Sequence, residues 1–93
     1  MNSNINYKKL PAHIQAGVQQ YVEQGIIPGD FLQAVIANNL SESFALADEI
    51  NQGQMFNIVK FFYNEMPSAC WKSKEKMLMW NKIGGYANYL KST

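Results

Sequence analysis

Met55-Phe56-Asn57-Ile58-Val59-Lys60-Phe61-Phe62-Tyr63-Asn64-Glu65-Met66-Pro67 is the stretch on which the reading of the fold turns. Met55, Phe56, Val59, Phe62 and Tyr63 recur at helical spacing, and Ile58 and Phe61 widen the stripe. The pattern predicts a helix from Asn51 to Asn64, stopped ahead of Pro67, whose ring cannot continue it. An apolar stripe this broad belongs to a helix at the centre of the domain, or to one whose outer edge meets another subunit. Gly53 near its start weakens it by about 1 kcal/mol relative to alanine.

Outward from that helix the same period recurs. Ile14, Val18, Tyr21 and Val22 give a helix from Pro11 to Gln24, with Gly25 as its left-handed terminator. Asp30 is placed to cap a helix from Phe31 to Asn38 that buries Phe31, Leu32, Val35 and Ile36. Ser41 is placed to cap a short third helix with Phe44 and Leu46–Ala47 as its apolar contacts. Ser73 is an N-cap for a helix from Lys74 to Ile83 with Met77, Leu78 and Trp80 inward, and Gly84-Gly85 closes it. Tyr86 to Thr93 reads as a tail whose Tyr86, Tyr89 and Leu90 pack on a neighbour. Only Ile26-Ile27 offers a β element, so the fold class expected is all-α: a compact bundle of about five short helices over residues 10–93, behind a flexible arm of residues 1–9.

Ninety-three residues make one domain, and a chain of that size buries only about 60–65% of its unfolded surface. Exposed apolar surface then favours a homo-oligomer. A 47% apolar and 16% charged composition is globular. No apolar run approaches the ~20 residues of a membrane span, and the first residues show no signal-peptide pattern, so a cytoplasmic protein away from the membrane is expected. One cysteine, Cys70, cannot form an internal disulfide. The net charge of +1 is uneven: residues 1–50 balance at −3, with Lys8 and Lys9 against five carboxylates. Residues 51–93 balance at +4, with six lysines against Glu65 and Glu75. With no arginine there is no guanidinium fork to read guanine or grip phosphate, which argues against direct DNA binding.

His13 and Cys70 are the only residues of their kinds, so zinc chemistry lacks a ligand set and no metal or cofactor is expected. His13 opens an amphipathic helix and reads first as a surface group, with a catalytic base the alternative. Cys70 beside Trp71 reads as apolar filler before a nucleophile. Asp48-Glu49 reads as a helix end, because neighbouring helix residues diverge by about 100°.

The segment from Tyr63 to Lys74 sets polar groups among aromatics, and such groups need partners in the protein or on a ligand. Candidate ligand-binding residues are Asn38, Tyr63, Asn64, Glu65, Trp71, Lys72, Ser73 and Lys74. The amides of Asn38 and Asn64 suit base edges, although each also suits a left-handed helix end. Trp71 followed by Lys72-Ser73-Lys74 reads as a stacking plane beside phosphate contacts, or as a core indole followed by a plain N-cap. Glu65 reads as a lysine partner or as an acceptor for a nucleobase edge.

Leu10-Pro11, Gly17-Val18, Tyr21-Val22-Glu23, Gly25-Ile26, Pro28-Gly29-Asp30-Phe31-Leu32, Ala34-Val35 and Asn38 form a pattern. It continues through Ala47-Asp48, Tyr63-Asn64-Glu65, Pro67, Cys70-Trp71, Ser73 and Trp80. Together these resemble a widespread family of small phage and prophage proteins over about residues 10–85. This chain departs from that pattern in carrying lysine and no arginine, where the family carries arginine in its middle helices. The resemblance implies a phage protein that opposes host defence in the bacterial cytoplasm without catalysis. One mechanism is a sponge that sequesters a nucleotide immune signal, such as a cyclic dinucleotide or an ADP-ribose derivative. The alternative is an inhibitor that binds a host defence or regulatory protein directly, in the manner of anti-CRISPR proteins.

Overall fold

The computed structural model describes residues 5–92, with side chains as far as residue 89, and is all-α. Its seven α-helices are α1 (Ala12–Gln24), α2 (Asp30–Ile36), α3 (Leu40–Leu46), α4 (Glu49–Gly53), α5 (Met55–Glu65), α6 (Lys74–Ile83) and α7 (Tyr86–Ser92), with 3-10 turns at Tyr7–Lys9 and Ser68–Cys70. No strand forms among the described residues, so Ile26-Ile27 is plain connector.

The count of seven corrects the expected five at two places. The long helix expected from Asn51 divides at Gln54, which ends α4 and starts α5 at φ −108°, directly after Gly53. Glycine there exposes backbone and supplies no side chain to hold the turn, so the break falls where helix propensity is lowest. The expected tail is α7, and its Tyr86 and Tyr89 pack on Trp80 of the same chain at centroid distances of 6.3 and 5.1 Å. The side chain of Leu90 lies outside the described residues.

α1 is the spine. Ile14, Val18, Tyr21 and Val22 are all buried, the face its period marks out. Gly25 ends it at φ 74°. The last-turn carbonyls of a helix lack intrahelical donors. Here the Gly25 N–H bonds the Tyr21 carbonyl, and α6 adds side-chain donors: the Trp80 indole N–H donates to the carbonyls of Tyr21 and Val22 at 3.0 and 3.1 Å, and the Asn81 amide donates to that of Gly25 at 2.8 Å. Backbone meets backbone at this joint. A Cβ on Gly85 would lie 2.5 Å from the backbone nitrogens of Gln24 and Gly25, so only glycine fits. The Tyr21 hydroxyl donates to the carbonyl of Cys70 and ties the Ser68–Cys70 turn to the same helix.

Caps set the other boundaries. Gly29, not Asp30, stands at the N-cap of α2, and Asp30 becomes its first residue. Asn39, not Ser41, caps α3, accepting from the Glu42 N–H at 3.1 Å. Asp48 caps α4, and Ser73 caps α6 as expected. Phe44 and Leu46, expected inside, are exposed, and Ala47 is the α3 contact that is buried. On α6, Met77 and Trp80 are buried while Leu78 faces solvent.

Residues 1–4 of the expected arm lie outside the described residues. From Ile5 onward the segment packs on α5: the Tyr7 ring meets Phe61 at 5.9 Å, and Lys9 pairs with Glu65 at 2.9 Å. Tyr7, Phe61, Phe62 and Trp71 then form a continuous run of ring contacts, each at 5.9 Å, through the core.

Candidate functional site

α5 buries Met55, Ile58, Phe61 and Phe62 and turns its other face outward. Phe56 is 76% exposed and Tyr63 is 72% exposed, two turns apart on one side. With Val59, Lys60 and Asn64 they line a shallow, almost wholly apolar groove of about 400 Å³. Single exposed apolar residues are ordinary, but aromatics aligned along one helix face mark an interaction surface. Burying either ring would contribute about 1.5–3 kcal/mol.

Cations frame this groove. The Lys60 ammonium lies 5.8 Å from the Phe56 ring centre, and the Lys72 ammonium lies 6.0 Å from that of Tyr63 and 5.6 Å from that of Trp71. Exposed cation–π contacts of this kind contribute about 0.5–1 kcal/mol each.

Lys72 reaches that position through an unfavourable backbone. Its φ is 95°, in the left-handed half of conformational space, and it is not a glycine. Its N–H donates to the carbonyl of Ile36 at 2.8 Å, which locks the loop after Trp71 onto the end of α2. Non-glycine residues held this way cost roughly 1–2 kcal/mol, and such strain collects at functional positions.

The remaining candidate residues divide among different surroundings. Trp71, expected as a stacking plane, is only 5% exposed and packs on Phe62. The indole belongs to the core, with the Lys72 ammonium 5.6 Å from its ring. Asn38 takes φ 63° and terminates α2, the structural role of an asparagine at a helix end. Ser73 is occupied as the α6 N-cap, accepting from the Lys76 N–H at 3.1 Å. Glu65 is paired with Lys9 from the N-terminal segment, not with a lysine of the last helix. Lys74 faces away into a separate basin lined also by Asp30, Asn39 and Glu42. Tyr63, Asn64 and Lys72 therefore remain together on the α5 face. Phe56 and Lys60, which complete it, carry no motif; Phe56 was read only as a member of the apolar stripe, and Lys60 gave no signal.

A second depression of about 270 Å³ lies on the flank of α5, where Lys9, Asn57, Lys60 and Asn64 surround Phe61 beside Glu65. It joins two amides and two ammonium groups over an aromatic floor.

Cys70 is fully buried, and burial pushes its thiol up to about 12, so it is protonated at neutral pH and a poor nucleophile. His13 Nε2 meets the Asp48 carboxylate at 3.1 Å, a surface pair joining the start of α1 to the cap of α4. Among the described residues no group of three or more His, Cys, Asp or Glu side chains stands close enough to hold a metal ion. No helix among them is long and apolar enough to cross a membrane. Sequence reasoning passed over Asn51, which is buried with its side-chain Oδ1 unpartnered.

Comparison with family models, with curated proteins and with solved structures finds no match to this chain.

Proposed function

We propose that this protein is a non-catalytic binding protein that acts by docking a partner protein on the outer face of α5. The observation that carries this reading is the pair of solvent-facing rings, Phe56 and Tyr63, flanked by Lys60 and Lys72. Interface hot spots are aromatic anchors that become fully desolvated, and a helix face with anchors two turns apart is a common way to offer them. The sequence resemblance to small phage proteins supplies the setting: a phage factor that inhibits a host defence or regulatory protein in the bacterial cytoplasm. The test is retention of a host protein by the immobilised chain, followed by titration of that protein, once purified, against wild type and a Phe56→Ser/Tyr63→Ser variant. Binding by wild type alone supports the reading, and equal affinity for the variant overturns it.

Sequestration of a nucleotide signal is the second reading, and the flanking depression favours it. Asn57 and Asn64 there offer donor–acceptor amides, and Lys60 offers a charge for phosphate. Burial of Trp71 removes the stacking plane that this mechanism was expected to use. Thermal shift against cyclic dinucleotides and ADP-ribose compounds decides it: a ligand at 100 times its Kd stabilises the fold by about 2.7 kcal/mol. Absence of any shift across the panel removes this reading and leaves the first untouched.

A further inference from the structure

The α5 face carries its own clue to an occupant. Its groove contains two aromatic rings, Val59, Lys60 and an amide, but no carboxylate. Two copies joined α5 to α5 would bring lysines against lysines. A surface of the opposite character exists elsewhere on the same molecule. Between α2, α3 and α6 lies an open basin of about 350 Å³. Ala34, Ala37 and Met77 give it an apolar floor, and Asp30 and Glu42 stand on its rim with Lys74. Two of its three charged groups are therefore negative.

We infer that a second copy of this chain occupies the α5 face, through insertion of Phe56 and Lys60 of one molecule into the Asp30–Glu42 basin of the next. The Phe56 ring covers the apolar floor, and the Lys60 ammonium, already held beside that ring, meets the rim carboxylates. The two surfaces differ, so the contact is head-to-tail and leaves an unused copy of each surface at the ends. Such a contact extends with concentration unless the rotation between copies closes a ring. This inference rests on the docking reading of the α5 face and names what covers that face when no other partner is present. Charge attraction between exposed groups is screened by salt, so the association weakens as ionic strength rises.

Sedimentation velocity over micromolar to millimolar protein tests it. At low salt the wild-type weight-average mass should climb above the 10.6 kDa of the single chain, and it should fall back at high salt. Lys60→Glu and Glu42→Lys, each alone, should remain at the mass of one chain. Mixed, they should associate again, because each variant keeps the surface that the other has lost. Phe56→Ser, which leaves every charge in place, should also stay single. Circular dichroism of each variant confirms the fold. A wild-type chain that stays single at all concentrations overturns the inference, while partner capture by α5 is read in its own assay. A mixture that fails to associate while wild type does, or a dimer that survives both charge reversals, also overturns it.

Discussion

Phe56 and Tyr63 stand seven residues apart on α5, with both rings in solvent and a lysine ammonium within about 6 Å of each. Seven residues span two helical turns, about 10.5 Å of axis. The opposite side of the same helix sends Ile58, Phe61 and Phe62 into the core. One helix thus holds the domain together with one face and presents a rigid aromatic surface with the other.

Trp71 belongs to the structural side. Its indole is buried against Phe62, so Trp71→Ala leaves a large cavity and should cost about 3–5 kcal/mol. For a domain of this size that lowers Tm by at least about 12 °C. A melting curve close to that of wild type would place the indole outside the core.

Lys72 flanks the exposed Tyr63 ring and holds a backbone conformation that weakens the fold. Lys72→Gly removes the Cβ that makes φ 95° unfavourable, offset by the greater freedom of glycine in the unfolded chain. Both glycine and alanine lose the contacts of the Lys72 ammonium with the Tyr63 and Trp71 rings, so the strain is read from their difference: Lys72→Gly should be about 0.5–1 kcal/mol more stable than Lys72→Ala by denaturant unfolding. Lys72→Ala keeps the Cβ and the unfavourable φ, so equal stability of the two variants would contradict the strain.

Gly85 has no room for a side chain. Gly85→Ala places a methyl group against the backbone of Gln24 and Gly25 and forces alanine to φ 88°. A loss of more than about 2 kcal/mol is expected, with the joint between α1 and α6 opening first. Hydrogen exchange at the last turn of α1 reports it directly.

Alkaline pH should unfold the domain. Burial raises the Cys70 thiol from 9.0 to about 12, and it also raises the phenols of Tyr21 and Tyr7, the latter with help from the nearby Glu23 carboxylate. Above pH 9 the unfolded chain releases protons that the folded chain retains, so stability is full below that pH and falls as pH rises toward 12. Each such group removes up to roughly 1.4 kcal/mol per pH unit within its window. Chemical denaturation between pH 8 and pH 11 checks the slope, and a thiol reagent at pH 8 should label Cys70 only after unfolding. A flat profile with rapid native labelling would mean an accessible thiol.

Much of the fold was legible because local signals carried it. The α1 stripe of Ile14, Val18, Tyr21 and Val22, the left-handed ends at Gly25, Asn38 and Gly84, and the Ser73 cap each follow from a few adjacent residues. The misreadings share a tertiary cause. Whether an indole faces water or core depends on which element crosses it, and the loop after Trp71 is fixed by a bond from Lys72 to Ile36, far away in sequence. α7 is a short segment that packs its tyrosines on Trp80, and its own sequence does not announce that contact. Of the candidate site, Tyr63, Asn64 and Lys72 stayed together, while Trp71, Ser73, Glu65 and Asn38 proved to be engaged in holding the fold. Phe56 was read as part of the stripe and Ile58 and Phe61 as its widening; the structure buries Ile58 and Phe61 and leaves Phe56 in solvent.

The most direct test of the account is the Phe56→Ser/Tyr63→Ser variant, with melting and partner binding measured side by side. Both rings are exposed, so Tm should stay within a few degrees of wild type. Loss of two aromatic anchors, at about 2 kcal/mol or more each, should weaken binding to the captured host protein by more than about 100-fold. A variant that melts like wild type and binds as tightly would contradict the assignment of α5's outer face as the working surface of this protein.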